Sequence, residues 1–126
     1  MQKFHSDTER ILARILERDA LRWFRPVSGQ FNIYYWRGRE QPEYIPDFVA
    51  ATPDANLLIE TKATKDMTDA EVKAKAEAAI IWCKHASNDS GAQGGKPWRY
   101  LLIPHDVVAV NATLPALVSR FTVGVK

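Results

Sequence analysis

The sequence predicts an α/β sandwich, one domain over residues 1–126, with elements in the order α–β–β–β–α–β–α. Three observations lead there. Residues 44–63, YIPDFVAATPDANLLIETKA, read as two apolar strands around a tight turn. Stretches 6–24 and 69–86 place apolar residues at helical spacing. WRYLLIPH at 98–105 is a further buried strand, and a helical pattern follows it to Phe121.

The first helix spans 6–24. Ser6 or Asp7 can cap it, with Glu9 placed as in a capping box. Ile11, Leu12, Ile15 and Leu16 form its apolar stripe. At about 100° per residue, Glu9 falls within about 20° of Leu16, on the buried side. Arg10, Arg14, Arg18 and Arg22 repeat every four residues and share a face. That face is either solvated and paired with Glu17 and Asp19, or a basic stripe for a phosphate backbone.

QFNIYYW at 30–36 alternates as a strand, with Phe31, Ile33 and Tyr35 on one side. RGREQPE at 37–43 is a charged turn, in which Arg37 and Arg39 are either solvated or touch DNA. Next comes the hairpin, where Pro53, Asp54 and Asn56 each suit a turn. A turn centred between Pro53 and Asp54 sets Val49 across from Leu58 and Asp47 across from Glu60. Side chains alternate faces along a strand. Asp47, Glu60 and Lys62 then share one face, while Phe48, Ile59 and Thr61 take the other.

The second helix, 69–86, starts with a Thr68–Glu71 capping box and buries Val72, Ala76, Ala79, Ile80 and Cys83. Trp82 belongs with the core. The stretch 87–97 holds Gly91, Gly94, Gly95 and Lys96 but is no phosphate-binding loop. Its glycine spacing is short by one, Pro97 stands where Ser or Thr would bind a metal, and a strand follows instead of a helix. It reads as a flexible loop. NATLPALVSRF at 111–121 is the last helix, packing Leu114, Leu117, Val118 and Phe121 on the sheet.

Charge inside apolar strands needs a reason. Asp, Glu and Lys there cost stability unless paired or bound to a metal. One reading of Glu60 and Lys62 is a surface ion pair, which is common and weak. Asp47 across from Glu60 adds another. Opposed side chains lie roughly 5 Å apart at Cβ, so two carboxylates can share one cation. Hard oxygen donors suit Mg²⁺ or Mn²⁺. Lys62 on the same face can meet a phosphate or orient a water.

PD-x(12)-E-x-K resembles the metal-binding core of the PD-(D/E)xK nuclease superfamily. Within it, YIPDFVA, LLIETKA, KAEAAIIWC and WRYLLIPH, spanning about 44–105, are similar to the nuclease domain at the C-terminal end of type III restriction enzyme Res subunits. The resemblance implies a restriction-endonuclease-like mixed sheet flanked by helices. It also implies a Mg²⁺- or Mn²⁺-dependent endonuclease acting on DNA. Asp47, Glu60 and the main-chain carbonyl of Thr61 are then the metal ligands, and Lys62 is the third catalytic residue. Glu9 is either a helix cap or a further acid facing the metal. Arg14, Arg18, Arg37, Arg39 and Lys75 are candidate DNA contacts. Type III systems also imply a helicase-like motor and a specificity subunit as partners, and the sequence here supplies neither ATP binding nor base readout.

Two alternatives stand beside this reading. The fold can serve as a non-catalytic DNA-binding or assembly module. Paired carboxylates can also serve glycoside hydrolysis, although Lys62 then has no role. Composition sets the remaining bounds. With 46% hydrophobic and 25% charged residues the chain matches an ordinary globular protein. A net charge of +2 neither requires nor excludes a nucleic-acid partner. Cys83 is the one cysteine, which rules out an intrachain disulfide and a thiolate zinc cluster. It reads as a small buried apolar group. His5, His85 and His105 lack metal-ligand spacing and read as structural or surface residues. No apolar run reaches membrane-spanning length and MQKFHSDTER is no signal peptide, so a cytoplasmic location without membrane contact is expected.

Overall fold

The computed structural model describes residues 6–124. Among them the fold is mixed α/β, with three helices and one five-stranded mixed sheet. Helix α1 is Asp7–Asp19. Strands β1 (Arg22–Phe24), β2 (Phe48–Ala51) and β3 (Asn56–Lys62) follow. Helix α2 (Ala70–Ala92) leads to β4 (Trp98–Pro104), helix α3 (Leu114–Phe121) and β5 (Thr122–Val123). Strand order across the sheet follows chain order, β1-β2-β3-β4-β5. Only β3 and β4 run parallel, joined by the crossover through α2.

Each sheet face is covered by its own apolar layer. Leu12, Ile15 and Leu16 of α1 meet Phe48, Leu57, Ile59, Leu101 and Ile103, with Leu114 and Leu117 of α3 completing that side. On the other face Ala76, Ala79 and Cys83 of α2 meet Val49, Leu58 and Tyr100, and Ile33, Tyr35 and Tyr44 close the layer. Full burial of these strands on both faces explains their near-continuous apolar runs.

The hairpin register is the one expected from the sequence. Phe48 pairs with Ile59 and Val49 with Leu58. Thr52 fixes the turn: its N–H donates to the Ala55 carbonyl at 2.8 Å, and its hydroxyl bonds both the carbonyl and the N–H of Ala55. Lys96 donates to the Thr52 carbonyl at 2.8 Å, so the glycine-containing segment braces the hairpin.

Several expectations are corrected. The first helix ends at Asp19, and Ala20 is already extended. Pairing of residues 22–24 with β2 captures the chain as an edge strand, starting from the Leu21 N–H bonded to the Ala51 carbonyl. Arg22 therefore leaves the helical face on which Arg10, Arg14 and Arg18 stand. Residues 30–36 form no sheet strand. Asn32 adopts φ 56°, a left-handed conformation that interrupts extended backbone. Only isolated bridges Tyr34–Glu43 and Arg37–Glu40 remain. Burial of Ile33 and Tyr35 still alternates with exposure of Tyr34 and Trp36. Regular pairing of the first hairpin strand begins at Phe48, not Tyr44.

Helix α2 also differs from expectation. Asp69 stands at its N-cap without a side-chain bond, and Glu71 accepts from the Tyr35 hydroxyl at 3.1 Å instead of closing a box with Thr68. Its C-terminal end runs through SNDSGA, expected to be loop. Tertiary bonding outweighs the weak local propensity there. The Ser87 hydroxyl accepts from the Trp98 N–H at 2.8 Å and donates to the Trp98 carbonyl at 3.1 Å. Gly94, at φ 76°, then turns the chain toward β4. The last helix begins at Leu114, capped by Thr113, and a short β5 after it adds a strand beyond the expected order. Among the described residues no helix is long and apolar enough to cross a membrane. His5 lies outside the described residues.

Replacing Ser87 by Ala leaves the Trp98 N–H without its partner, a loss of about 1–3 kcal/mol. Chemical denaturation of Ser87→Ala should show that drop in stability, and an unchanged midpoint would show that the clasp carries no weight.

Candidate functional site

Strands β3 and β4 end together, and the chain leaves each in a 3-10 turn, Thr64–Asp66 after β3 and His105–Val107 after β4. Outside the carboxyl ends of parallel strands, open α/β sheets leave a crevice. Here the crevice is an open cavity of about 270 Å³. Ser6, the N-cap of α1, and Glu9 within it line one side, Asp47 lines it from the approach to β2, and Glu60, Thr61 and Lys62 from the end of β3. Asp66 and His105 complete the rim.

Continuing the β2–β3 register by one residue puts Asp47 across from Glu60. Asp47 Oδ2 accepts from the Thr61 N–H at 2.9 Å and from the Thr61 hydroxyl at 3.2 Å. Those bonds tie the aspartate to β3 and account for one carboxylate oxygen. Glu60 is 7% exposed. Its Oε1 accepts from the Tyr44 hydroxyl at 2.9 Å, and that hydroxyl lies 2.9 Å from the hydroxyl of Tyr100. Its Oε2 lies 3.7 Å from Lys62 Nζ.

The electrostatics are unfavourable for an anion. Burial, then the nearby Asp47 carboxylate, pushes Glu60 up to about 8, against smaller opposing contributions from Tyr44, Lys62 and Lys75. Asp47 is raised as well, first by burial and then by Glu9, while the Thr61 bonds work the other way. Burial holds both Tyr44 and Tyr100 protonated. Two carboxyls raised by desolvation and by neighbouring acids are what a cation would relieve.

Glu9 is 7% exposed, as its position on the helix implies. Its Oε1 sits 2.8 Å from Arg25 Nη1, a charge contact without hydrogen-bond alignment. Arg25 also lies over the Phe48 ring, 5.2 Å from its centroid. The capping bond comes from Ser6, whose hydroxyl accepts from the Glu9 N–H. Among the described residues no group of three or more His, Cys, Asp or Glu side chains is arranged to hold a metal ion. The donors that fit a cation here are the carboxylates of Asp47 and Glu60 with a main-chain carbonyl. The third acid is turned to Arg25.

The basic candidates do not line the cavity. Arg14 points to solvent from α1. Arg18 binds Asp19 and donates to the carbonyls of Val110 and Ala112, clamping α1 to the segment before α3. Arg37 and Arg39 are exposed in the 36–41 turn, with Arg37 near Glu40. Lys75 Nζ lies 3.5 Å from Glu71, 5.5 Å from the Tyr35 ring centroid and 5.8 Å from that of Tyr44. It is half-enclosed by aromatic faces. Sequence reasoning missed Arg25, Tyr44, Tyr100, Asp66 and His105. Only His105 carried a usable signal, because it follows the apolar run of β4 directly.

The sign of a pH effect follows from Glu60. Its carboxyl holds a proton more tightly in the folded chain than at its ordinary value of 4.5. The folded state is therefore favoured below that value, and the advantage is lost as pH rises toward about 8. In the presence of chelator, thermal melts should show stability falling across this window, with a flatter curve for Glu60→Gln. Parallel curves for the two proteins would contradict the assignment.

No family model, no curated protein and no solved structure matches the chain.

Proposed function

We propose that the chain is a divalent-metal-dependent endonuclease domain that hydrolyses DNA phosphodiester bonds, on a restriction-endonuclease-like fold. One observation carries the reading. Asp47, Glu60, Thr61 and Lys62 meet at one open cavity, with both acids raised by burial and further by neighbouring carboxylates, Glu9 for Asp47 and Asp47 for Glu60. The PD…ExK pattern alone is short and recurs widely. Its residues converging at the end of a parallel strand pair give it chemical content.

Asp47, Glu60 and the Thr61 carbonyl would hold Mg²⁺ or Mn²⁺, which when bound lowers the pKa of a coordinated water and offsets charge on the phosphoryl oxygens. The chain's own residues do the rest. Thr61 fixes Asp47 through two hydrogen bonds. Lys62, partly exposed beside Glu60, orients the attacking water or shares the negative charge that grows on phosphate. The water oxygen bonds to phosphorus as the bond to the 3′ oxygen breaks; the water gives up a proton to solvent, and solvent returns one to the departing 3′ oxygen. The products are a 5′-phosphate and a 3′-hydroxyl. Glu9, turned to Arg25, shapes the charge beside the site without serving as a ligand. Arg14, Arg18, Arg37, Arg39 and Lys75 stand outside the cavity, so their contribution to DNA binding is peripheral. A helicase-like motor and a specificity subunit, as in type III restriction systems, are the partners that would supply target choice.

Supercoiled plasmid tests the proposal. With Mg²⁺ or Mn²⁺ the wild type should nick or linearise it, and excess chelator should stop the reaction. Lys62→Ala should lose about 10²–10³-fold in rate, the scale for removing one charge-stabilising group, and Asp47→Ala at least as much. DNA binding without any cleavage would favour the non-catalytic module. Cleavage at an equal rate by Lys62→Ala would remove the role given to that residue.

A further inference from the structure

We propose that Tyr44 is a positioning residue for Glu60: its buried hydroxyl, itself held by Tyr100, fixes one carboxylate oxygen and leaves the other facing the open end of the site. The inference rests on the reading of Asp47 and Glu60 as ligands of a divalent cation.

Tyr44 and Tyr100 are 3% and 1% exposed. Their rings meet edge to face, with centroids 6.3 Å apart and planes at 82°. A Phe pair would fill this layer with nearly the same volume and no buried hydroxyl to satisfy. The two hydroxyls bond each other, and that of Tyr44 also bonds Glu60. Each phenol has one proton. With Glu60 ionised, Tyr44 gives its proton to Oε1, and Tyr100 is then the donor between the two phenols. The bonds run in one direction, from Tyr100 to Tyr44 to the carboxylate, and neighbouring bonds in such a chain strengthen one another.

The two oxygens of Glu60 are thereby made unequal. Oε1 is fixed inward at 2.9 Å from Tyr44, and Oε2 is the one near Lys62. Lys75 brings a positive charge over the Tyr44 ring, which strengthens the phenol as a donor. The backbone at Tyr44 is pinned too, since its N–H donates to the Ile33 carbonyl at 2.7 Å. Three residues on, past the buried Pro46, the same segment delivers Asp47. One short stretch of chain thus sets both acids, one directly and the other through a hydroxyl. Groups that orient a metal-binding side chain in this way commonly matter 10–100-fold for affinity or activity.

The test uses Mn²⁺ alone as the calorimetric probe, followed by plasmid cleavage. Tyr44→Phe should keep the melting temperature within a few degrees, bind Mn²⁺ about tenfold more weakly and lower kcat about tenfold. KM for plasmid should not move, because no DNA reaches this buried hydroxyl. Wild-type affinity in Tyr44→Phe overturns the inference and leaves the cation reading standing. No Mn²⁺ binding by the wild type overturns both. Should Tyr44→Phe fail to fold, Tyr100→Phe carries the test. It should weaken Mn²⁺ binding by less than Tyr44→Phe would, and unchanged affinity would overturn the inference.

Discussion

The antiparallel pairing of β2 with β3, in the register that sets Phe48 across from Ile59, is the constraint on which the rest depends. Side chains on paired strands alternate faces, so a slip of one residue would exchange both apolar layers and move Asp47 away from Glu60. The register is held from two sides. Thr52 and Ala55 fix the turn, and the layers under α1 and α2 each accept only one alternation of side chains. Core packing and site geometry are therefore the same structural fact seen at two ends of one hairpin.

That arrangement has an electrostatic consequence. Glu60 lies among Tyr44, Tyr100 and the strand ends, where an anion is poorly solvated, and Asp47 stands close enough to raise it further. A chain that gained nothing from a charge at this place would do better with an apolar residue of similar volume. The protein instead surrounds the carboxylate with a phenol, a lysine on the same strand and a second lysine from α2. These partners moderate the cost without removing it, and they leave one side of the group toward the open cavity.

Much of this hairpin was legible in the sequence, because Pro53 and Asp54 mark the turn and the apolar alternation fixes which residues oppose. The buried side of α1, with Glu9 on it, was legible for the same reason at helical period. What escaped were features that depend on distant partners. Arg25 follows the edge strand that replaces the end of the expected helix, and nothing local links it to Glu9. Tyr44 and Tyr100 look like any core aromatics until their hydroxyls are placed. The expected strand at 30–36 failed at Asn32, where one left-handed residue breaks the extension while the burial alternation survives. SNDSGA looked like loop because its propensities are weak, and it is helical because Ser87 is bonded at both atoms of its hydroxyl to the start of β4.

The central claim is that Asp47 and Glu60 together hold one divalent cation at the end of β3. The most direct measurement is a crystal of the protein grown or soaked with Mn²⁺, with diffraction recorded for manganese anomalous scattering. The account predicts a peak in contact with a carboxylate oxygen of both residues. A map without a peak there, or with manganese bound elsewhere while Glu60 stays turned wholly to Tyr44, would contradict it.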